Sequence, residues 1–423
     1  MGEGPFDWQS FEAFAQEHDF EGQPLDITGP WTGRDADLFT SVTAYFSEAT
    51  GANVTYSGSD SFEQDIVIAT EANSAPNVAV FPQPGLLADL AARGTVTPLG
   101  QETADWIAEN YAAGESWVDL ASFEGADGET RLYGFPYKID VKSLVWYVPE
   151  QFEEAGYEVP ETYEELKALT QQIADDGVTP WCIGLGAGAG TGWPATDWVE
   201  DLMLRVASPE TYDEWVTHGI PFDDPAVVRA IEEYGFFLQD GVVNGGRSAA
   251  ATTDFRDSPT NLFGFPPQCY MHKAPTFIPT FFPEGSVVGE DADFFYFPAP
   301  ESGDYGQPVL GGGTTFAITE DSPVAQAFIA FLQTPIAHEV WMGQSGFQTP
   351  YGEANTEVFP TEAQRRLNDI LTDATVFRFD GSDLMPGEIG AGAFWTQMVE
   401  FTTGSEDAAA AAANVETRWQ QLE

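Results

Sequence analysis

The residue types that most often do chemistry are thinly spread. The four histidines, His18, His218, His272 and His338, are scattered over 423 residues, and the two cysteines are Cys182 and Cys269. Cys269-x-x-His272 supplies one pair of potential zinc ligands, but no second pair follows at a usual spacing, so no metal site is expected. Gly343-Gln344-Ser345-Gly346 starts like a nucleophile elbow, and Phe347 stands where the closing glycine is required. Gly184 to Ala189, "GLGAGA", fits Gly-x-Gly-x-x-Ala, yet Pro194 follows soon after and no clear helix opens there, which argues against a dinucleotide site. With 68 acidic residues, some pair of carboxylates can always be imagined as a glycosidase acid and base, so abundance alone carries no signal. No catalytic residue, metal or cofactor is expected.

Aromatic residues beside polar groups are more informative. Trp31-Thr32-Gly33-Arg34-Asp35 follows a strand pattern, and Tyr137-Lys138 precedes Asp140. Trp193-Pro194-Ala195-Thr196-Asp197-Trp198 reads as a loop, and "FDGSDLMPGEIGAGAFW" (Phe379 to Trp395) puts Phe394-Trp395 behind a Gly-rich, Pro-containing stretch. A sugar ring has apolar C–H faces and a rim of hydroxyls. It needs flat aromatic walls with a few placed carboxylates, amides and guanidinium groups. Any one of these aromatics is more simply a core residue. Their joint placement beside polar groups is what points to carbohydrate.

The elements that must position these residues alternate between strand and helix. "LDITGP" (Leu25 to Pro30), "NVTYSG" (Asn53 to Gly58) and "NVAVF" (Asn77 to Phe81) read as strands, separated by helices at about 35–48 and 62–71 and followed by one at 85–94. Such alternation implies a parallel sheet, whose ligands sit beyond the carboxyl ends of the strands. Further on, "LYGFPYKIDVKSLVWY" (Leu132 to Tyr147) is strand-like, and Thr162-x-x-Glu165 is a capping box. "WCIGL" from Trp181 reads as a strand. Asp224 caps a helix with Pro225 first and Gly241 as its stop. "GGGTTFAIT" (Gly311 to Thr319) reads as a Gly-rich turn and a strand, Ser322-Pro323 open a helix, and the alanine run 408–413 is helical.

Length suggests two or more folded units, and 43% hydrophobic residues suffice for real cores. The formal charge of −53, from 68 acids against 15 bases, leaves no basic face for nucleic acid. It would also repel an anionic membrane surface. No run of about 18 apolar residues spans a membrane. Neither end shows a leader. Met1-Gly2-Glu3-Gly4 and Leu422-Glu423 look like chosen boundaries, so a native leader or lipid-anchored N-terminus is expected to have been removed. Cys182 and Cys269 are either one disulfide of an exported protein or two buried thiols.

Taken together, "LDITGPWTGRDADLF", "LYGFPYKIDVKSLVWY", "GWPATDWVEDL", "PPQCYMHKAPTFI", "LGGGTTFAI" and "DLMPGEIGAGAFW" make the chain resemble the extracellular solute-binding proteins of ABC sugar importers, from about Leu25 to Trp419. This is the family that includes maltose-binding protein, and the likeness is to its α-glucoside-binding branch. The Met-Pro turn before Phe-Trp is the most specific carrier. "WCIG" with "QCYMHK" is typical of that branch and favours the Cys182–Cys269 disulfide.

The resemblance implies an α/β, two-lobed periplasmic-binding-protein fold with discontinuous lobes, a hinge and a ligand cleft between the lobes. The N-terminal lobe would take 24–137 and 314–360, the C-terminal lobe 138–313 and 361–423, with 1–23 as an extension. It implies that Trp31, Arg34, Asp35 and Gln83 line the N-lobe side. Lys138 lies near the crossover, and the turn at Gly313 brings backbone close to the ligand. Trp193, Asp197 and Trp395 would face the sugar from the C-lobe, with Asp383 accepting hydroxyl bonds and Met385 and Phe394 supporting the wall. His272 and Arg378 are further basic candidates near loops.

The function implied is that of a non-catalytic, monomeric binding component. It would deliver an α-glucoside such as trehalose, sucrose or maltose to a membrane permease. It would be exported to the periplasm or lipid-anchored on the outer face of the bacterial cytoplasmic membrane. A different glycoside, such as glucosylglycerol or a sulfonated sugar glycoside, is the alternative. A secreted glycosidase would need two spaced carboxylates and measurable turnover of a chromogenic glucoside, and an adhesive protein needs no aromatic site. The acidity, with only four lysines, serves solubility or adaptation to high salt. The second reading predicts a melting temperature that rises between low and molar salt in a thermal scan; a flat response leaves solubility alone.

Overall fold

The computed structural model describes residues 4–111, 114–344, 346–374 and 376–422. Ser345, of the incomplete elbow motif, and Met1 to Glu3 and Glu423, at the expected chosen boundaries, lie outside these. The chain forms two compact units, Met1–Asp140 with Gly313–Asn368, and Val141–Gly312 with Asp369–Glu423.

Unit one is built on parallel strands Pro24–Gly29, Asn53–Gly58 and Val78–Phe81, with Pro24–Gly29 in the centre of the three. Ile27 lies opposite Tyr56 on one side and Val78 on the other. Residues Thr315–Ile318, the end of the strand Pro308–Ile318, add antiparallel to Phe81–Val78. Parallel neighbours need crossovers, supplied by the helices Gly33–Thr50 and Phe62–Glu71. Gly51 ends the first of these at φ 74°, a left-handed position open to glycine, with its N–H on the Ser47 carbonyl. Phe39, Phe46, Phe316 and Phe328 fill the core beneath, fully buried, with the Phe46 and Phe328 rings 5.2 Å apart edge to face. Because Gly29 and Phe81 both end parallel strands, Trp31 and Gln83 emerge beyond the same sheet edge.

The 1–23 extension contains a helix that the sequence reading did not assign. Trp8–Glu17 is capped by Asp7, whose side chain accepts from the N–H groups of Gln9 and Ser10, and Phe14 packs 5.2 Å from Phe331. Its pattern gives one buried residue in ten, too weak a period to see in advance.

Unit two contains a three-stranded antiparallel sheet with Leu144–Tyr147 between Met271–Lys273 and Asp293–Tyr296. Pro308–Gly311, the start of the long strand, pairs in parallel with Val376–Phe379. Helices surround a core in which Trp198 lies 5.0 Å from Trp181 and 4.7 Å from Phe237. The expected capping box is present, Thr162 accepting from Glu165 N–H and Glu165 from Thr162 N–H. Among the described residues no helix is long and apolar enough to cross a membrane.

Four local expectations are corrected. Trp193–Trp198 is not a loop: a helix runs Trp193–Val206, with Pro194 tolerated in a first turn whose N–H groups have no helical partner. Gly311–Thr314 is not a turn but part of the continuous strand Pro308–Ile318, because these glycines lie in extended backbone between two sets of pairing partners. Trp181–Leu185 makes only isolated bridges, from Trp181 to Val243 and Met271, since Leu185 and Gly186 bond instead to the carbonyls of Ala250 and Thr253. The helix from Pro225 stops at Phe236, five residues before Gly241, where the last turn tightens and Phe237 N–H bonds back to Tyr234.

Cys182 and Cys269 form a disulfide with Cα atoms 5.4 Å apart, bridging 87 positions within unit two. Closing so long a loop restricts the unfolded chain. The double variant Cys182→Ser/Cys269→Ser is expected to lose about 2–4 kcal/mol in a urea unfolding measurement.

Candidate functional site

The richest constellation lies in unit two and starts from a turn that only glycines allow. Gly192, at φ 121°, precedes the helix Trp193–Val206, and a Cβ there would fall 2.5 Å from the Trp395 carbonyl oxygen. A Cβ on Gly190 would lie 3.7 Å from both the Trp193 and the Trp395 rings. The two indoles, 202 positions apart, therefore flank the same short turn. Trp193 also meets Phe255 edge to face at 5.0 Å and Phe277 at 6.0 Å.

Asp197 stands one helical turn after Trp193 and so on the same helix face. Lys142 enters from just beyond the end of the strand Phe135–Val141. Its ammonium donates to Asp197 at 2.9 Å and to Asp380, and sits 5.7 Å from the centre of the Trp193 ring. Gly312 makes room for that side chain, since a Cβ there would come within 2.7 Å of Lys142 Cε. Asp380 caps the helix Gly381–Leu384, accepting from Asp383 N–H and from the Ser382 hydroxyl, while Glu200 accepts from Ser382 N–H at 3.0 Å. Asp197, Glu200 and Asp380 bring carboxylate oxygens within 4.8 Å of one another. Those oxygens are the ligand type of a hard cation, but the Lys142 ammonium already supplies positive charge among them.

Electrostatics separates these acids. Burial pushes Asp197 up to about 7; Lys142 opposes that and Asp380 adds to it. Burial, with Asp380 and Asp197 alongside, raises Glu200 well above its usual range. Burial acts against Asp380 too, but the charge and hydrogen bond of Lys142 outweigh it and hold this carboxyl low. For Lys142, burial disfavours the charge, and Asp197 and Asp380 override it. At neutral pH the cluster thus holds Lys142 charged and Asp380 ionised and puts Asp197 near its midpoint, while burial biases Glu200 toward its protonated form.

Beside this cluster a cavity of about 20 Å³ is lined by Ile183, Trp193, Asp197, Phe255 and His272. That is room for roughly one water-sized group. His272 Nδ1 lies 2.8 Å from the Cys182 carbonyl, which can only accept, so Nδ1 carries the proton and Nε2 is an acceptor. Burial lowers the His272 pKa to about 4, keeping the ring neutral. His272 Nε2, Asp197 Oδ2 and Trp395 Nε1 are all buried with no hydrogen-bond partner in the protein. Buried polar atoms ordinarily have partners, and two acceptors and a donor beside aromatic rings match a polyhydroxyl ligand.

Other expected residues fall elsewhere. Met385 and Phe394 are core residues; Phe394 is fully buried between Trp215 and Phe222. Arg378 is engaged by Asp213 through two hydrogen bonds, 2.6 and 2.9 Å, at the unit's surface. Asp383 is buried in the short helix that Asp380 caps, next to the constellation.

In unit one, Trp31 is 8% exposed and packs on Phe39 and Trp341, each at 5.0 Å. Its backbone is clamped by Tyr56, whose hydroxyl accepts from Trp31 N–H and donates to Trp31 C=O. Arg34 and Asp35 lie in the first turn of the helix that follows, Arg34 exposed. Gln83 donates to Glu63 at 3.1 Å, leaving its own amide oxygen buried without a partner. Lys138 is buried and paired with Asp140 at 2.6 Å. Gly313 packs against the Lys138 carbonyl, which a Cβ would approach to 2.7 Å.

Sequence reasoning missed Lys142, Glu200 and Asp380, and a second buried network behind them. There Asp201 pairs with Lys273 and Arg205 and accepts from Ser143. A signal was present: of four lysines, three lie in strand-like apolar runs, "YKIDVK" and "MHK", and all three are buried. The fourth, Lys167, pairs with Glu233.

Comparison with solved structures gives the class. The chain superposes on the bacterial solute receptor AcbH with TM-score 0.81 and 18% identity, covering 95% of this chain and 99% of that one. It superposes on maltose-bound MalE3 of T. maritima with TM-score 0.73 and 14% identity, covering 95% and 100%. The fold is that of the two-lobed periplasmic sugar-binding proteins. Residues 33–339 match the family model of the bacterial extracellular solute-binding proteins, and the chain belongs to that family. It is therefore a binding protein and not an enzyme. It is similar to the "Alpha-glucosides-binding periplasmic protein AglE" of Rhizobium meliloti (strain 1021), 61% identical over 419 residues, covering 99% of this chain and 91% of the relative. It is also similar to the "Osmoprotective compounds-binding protein GgtB" of Synechocystis sp., 41% identical and covering 92% and 90%.

Asp197 generates a pH prediction. Its folded pKa, about 7, is above the ordinary value of 3.8, so folding takes up a proton between these values and stability falls as pH rises through that window. Asp197→Asn removes this term. Urea unfolding from pH 4 to 7 should show the stability of the variant relative to wild type increasing with pH; a constant difference would exclude the raised value.

Proposed function

We propose that this chain is the substrate-binding component of an ABC carbohydrate importer and that its ligand is an α-glucoside of the size of trehalose, sucrose or maltose. The similarity to AglE over nearly the whole chain supports the ligand class. The single observation that carries the site is the pair of indoles, Trp193 and Trp395, flanking Gly190 next to the partnerless atoms of Asp197, His272 and Trp395. In this reading the indoles give apolar walls to sugar C–H faces, Asp197 and His272 accept hydroxyl protons, and Trp395 Nε1 donates. Asp383 borders the same group. Trp31, Arg34, Asp35, Gln83, Lys138 and Gly313 are the proposed contributions of unit one. The protein acts as a monomer, exported to the periplasm or held by lipid on the outer face of the cytoplasmic membrane.

The second reading, a smaller glycoside such as glucosylglycerol, draws on the similarity to GgtB, which is described as binding osmoprotective compounds. A sulfonated glycoside is less well served, because Lys142, Lys138 and Arg378 are each committed to carboxylates.

A thermal-shift panel of mono-, di- and trisaccharides and glucosylglycerol, followed by calorimetry, tests the proposal. An α-glucoside at 100 times its Kd should stabilise the protein by about 2.7 kcal/mol and raise Tm by a few degrees. A response to glucosylglycerol alone selects the second reading. Trp395→Ala is expected to weaken binding by roughly 2 kcal/mol or more, and unchanged affinity removes Trp395 from the site.

A further inference from the structure

We propose that one face of unit two is the docking surface for a membrane subunit of the importer, with Phe265 as its apolar anchor. This rests on the importer reading. Five large apolar side chains are exposed among the described residues, and three of them, Phe265 (84% exposed), Val159 and Val178, belong to neighbouring segments. Gln151, on the helix Pro149–Ala155, donates to the Gly264 carbonyl at 3.1 Å. Tyr157 stacks edge to face on Tyr270 at 5.2 Å and donates to Asp176 at 3.1 Å, and Tyr270 N–H bonds to the Pro180 carbonyl. These contacts tie 149–161, 175–180 and 263–270 into one continuous surface.

The loop that carries Phe265 is held rather than loose. Phe263 packs 5.0 Å from Phe282, Gln268 N–H bonds to the Asn261 carbonyl, and the loop ends at Cys269 in the disulfide. An aromatic ring left in water on a fixed backbone forgoes burial that a partner pocket would recover. It brings little ordering cost to such an interface, as expected of a hot-spot anchor.

Charge selects the occupant. The three segments contain no lysine or arginine. Glu150, Glu153, Glu154, Glu158, Asp175 and Asp176 are all exposed around the apolar points. Burial raises the Tyr270 phenol, and Glu154 and Asp176 push it further, consistent with their gathering on this face. A bilayer with anionic lipid would repel such a rim, whereas a protein surface with basic side chains around an apolar pocket complements it.

The test uses the full chain with the importer's membrane subunits in nanodiscs of neutral lipid. Association is read by interferometry at low and moderate salt, and α-glucoside affinity by calorimetry in parallel. Phe265→Ala should weaken association roughly tenfold or more, and Glu150→Lys/Glu154→Lys should weaken it and flatten its salt dependence, both with unchanged sugar affinity and Tm. Association of both variants within twofold of wild type, or no association of wild type, overturns the proposal. Equal binding to vesicles lacking the membrane subunits overturns it in favour of lipid contact. Docking that persists in a protein that binds no α-glucoside would instead retire the sugar assignment and leave this surface standing.

Discussion

The architecture of the candidate site in unit two depends on one buried ammonium group. Lys142 holds Asp197 on the helix Trp193–Val206 and Asp380 at the head of the segment that leads to Trp395. Three stretches distant in sequence are thereby pinned at one point. Taking a lysine out of water costs several kcal/mol, and two carboxylates are needed to repay it. Removing the lysine would strand those carboxylates in a site where burial already presses on Glu200 and Asp197. Loss of such a partner typically costs about 3–5 kcal/mol. The arrangement is weak as a source of stability compared with a hydrophobic filling, and better understood as a device that fixes where the two indoles stand.

The cluster also sets the chemistry near the indoles apart from the acidity of the whole chain. The formal charge is −53. Near the indoles, however, charge is reduced by burial and pairing: burial biases Glu200 toward protonation, Asp380 is paired with Lys142, and His272 is kept neutral. Partnerless hydrogen-bonding atoms remain there on Asp197, Glu200, His272 and Trp395. Neutral hydroxyls answer that need without bringing a counter-charge. The chain has so few lysines, and buries three of them, that positive charge at its surface comes almost wholly from arginine. The acidic exterior is thus separate from the site's chemistry and falls to solubility, salt response and partner choice.

Several elements were legible from local pattern. The strand 53–58 and the helix 62–71 occur at their expected bounds because the strand alternates half-buried Val54 and Tyr56 with exposed residues and the helix buries a stripe of Phe62, Ile66 and Thr70. The capping box at Thr162 and the Ser322-Pro323 helix start were read from side-chain chemistry that acts within four residues. Failures came where distant partners overrode local preference. Glycines at 311–313 look like a turn, and become strand because Val376–Phe379 pairs beside Gly311. Phe394 and Met385, expected to support the wall behind Trp395, are buried, and Phe394 packs on Trp215 and Phe222 from elsewhere in the chain.

The sequence by itself determined the class of fold and the identity of the aromatic residues worth testing, because composition, period and short motifs are local properties. Only the tertiary structure decided that Trp193 and Trp395 share one glycine turn, that Lys142 rather than Lys138 sits among the carboxylates beside Trp193, and that Arg378 is spent on Asp213. Those facts join residues dozens to hundreds of positions apart. Burial and pairing, which set the charge state of each acid, exist only once the chain has brought them together.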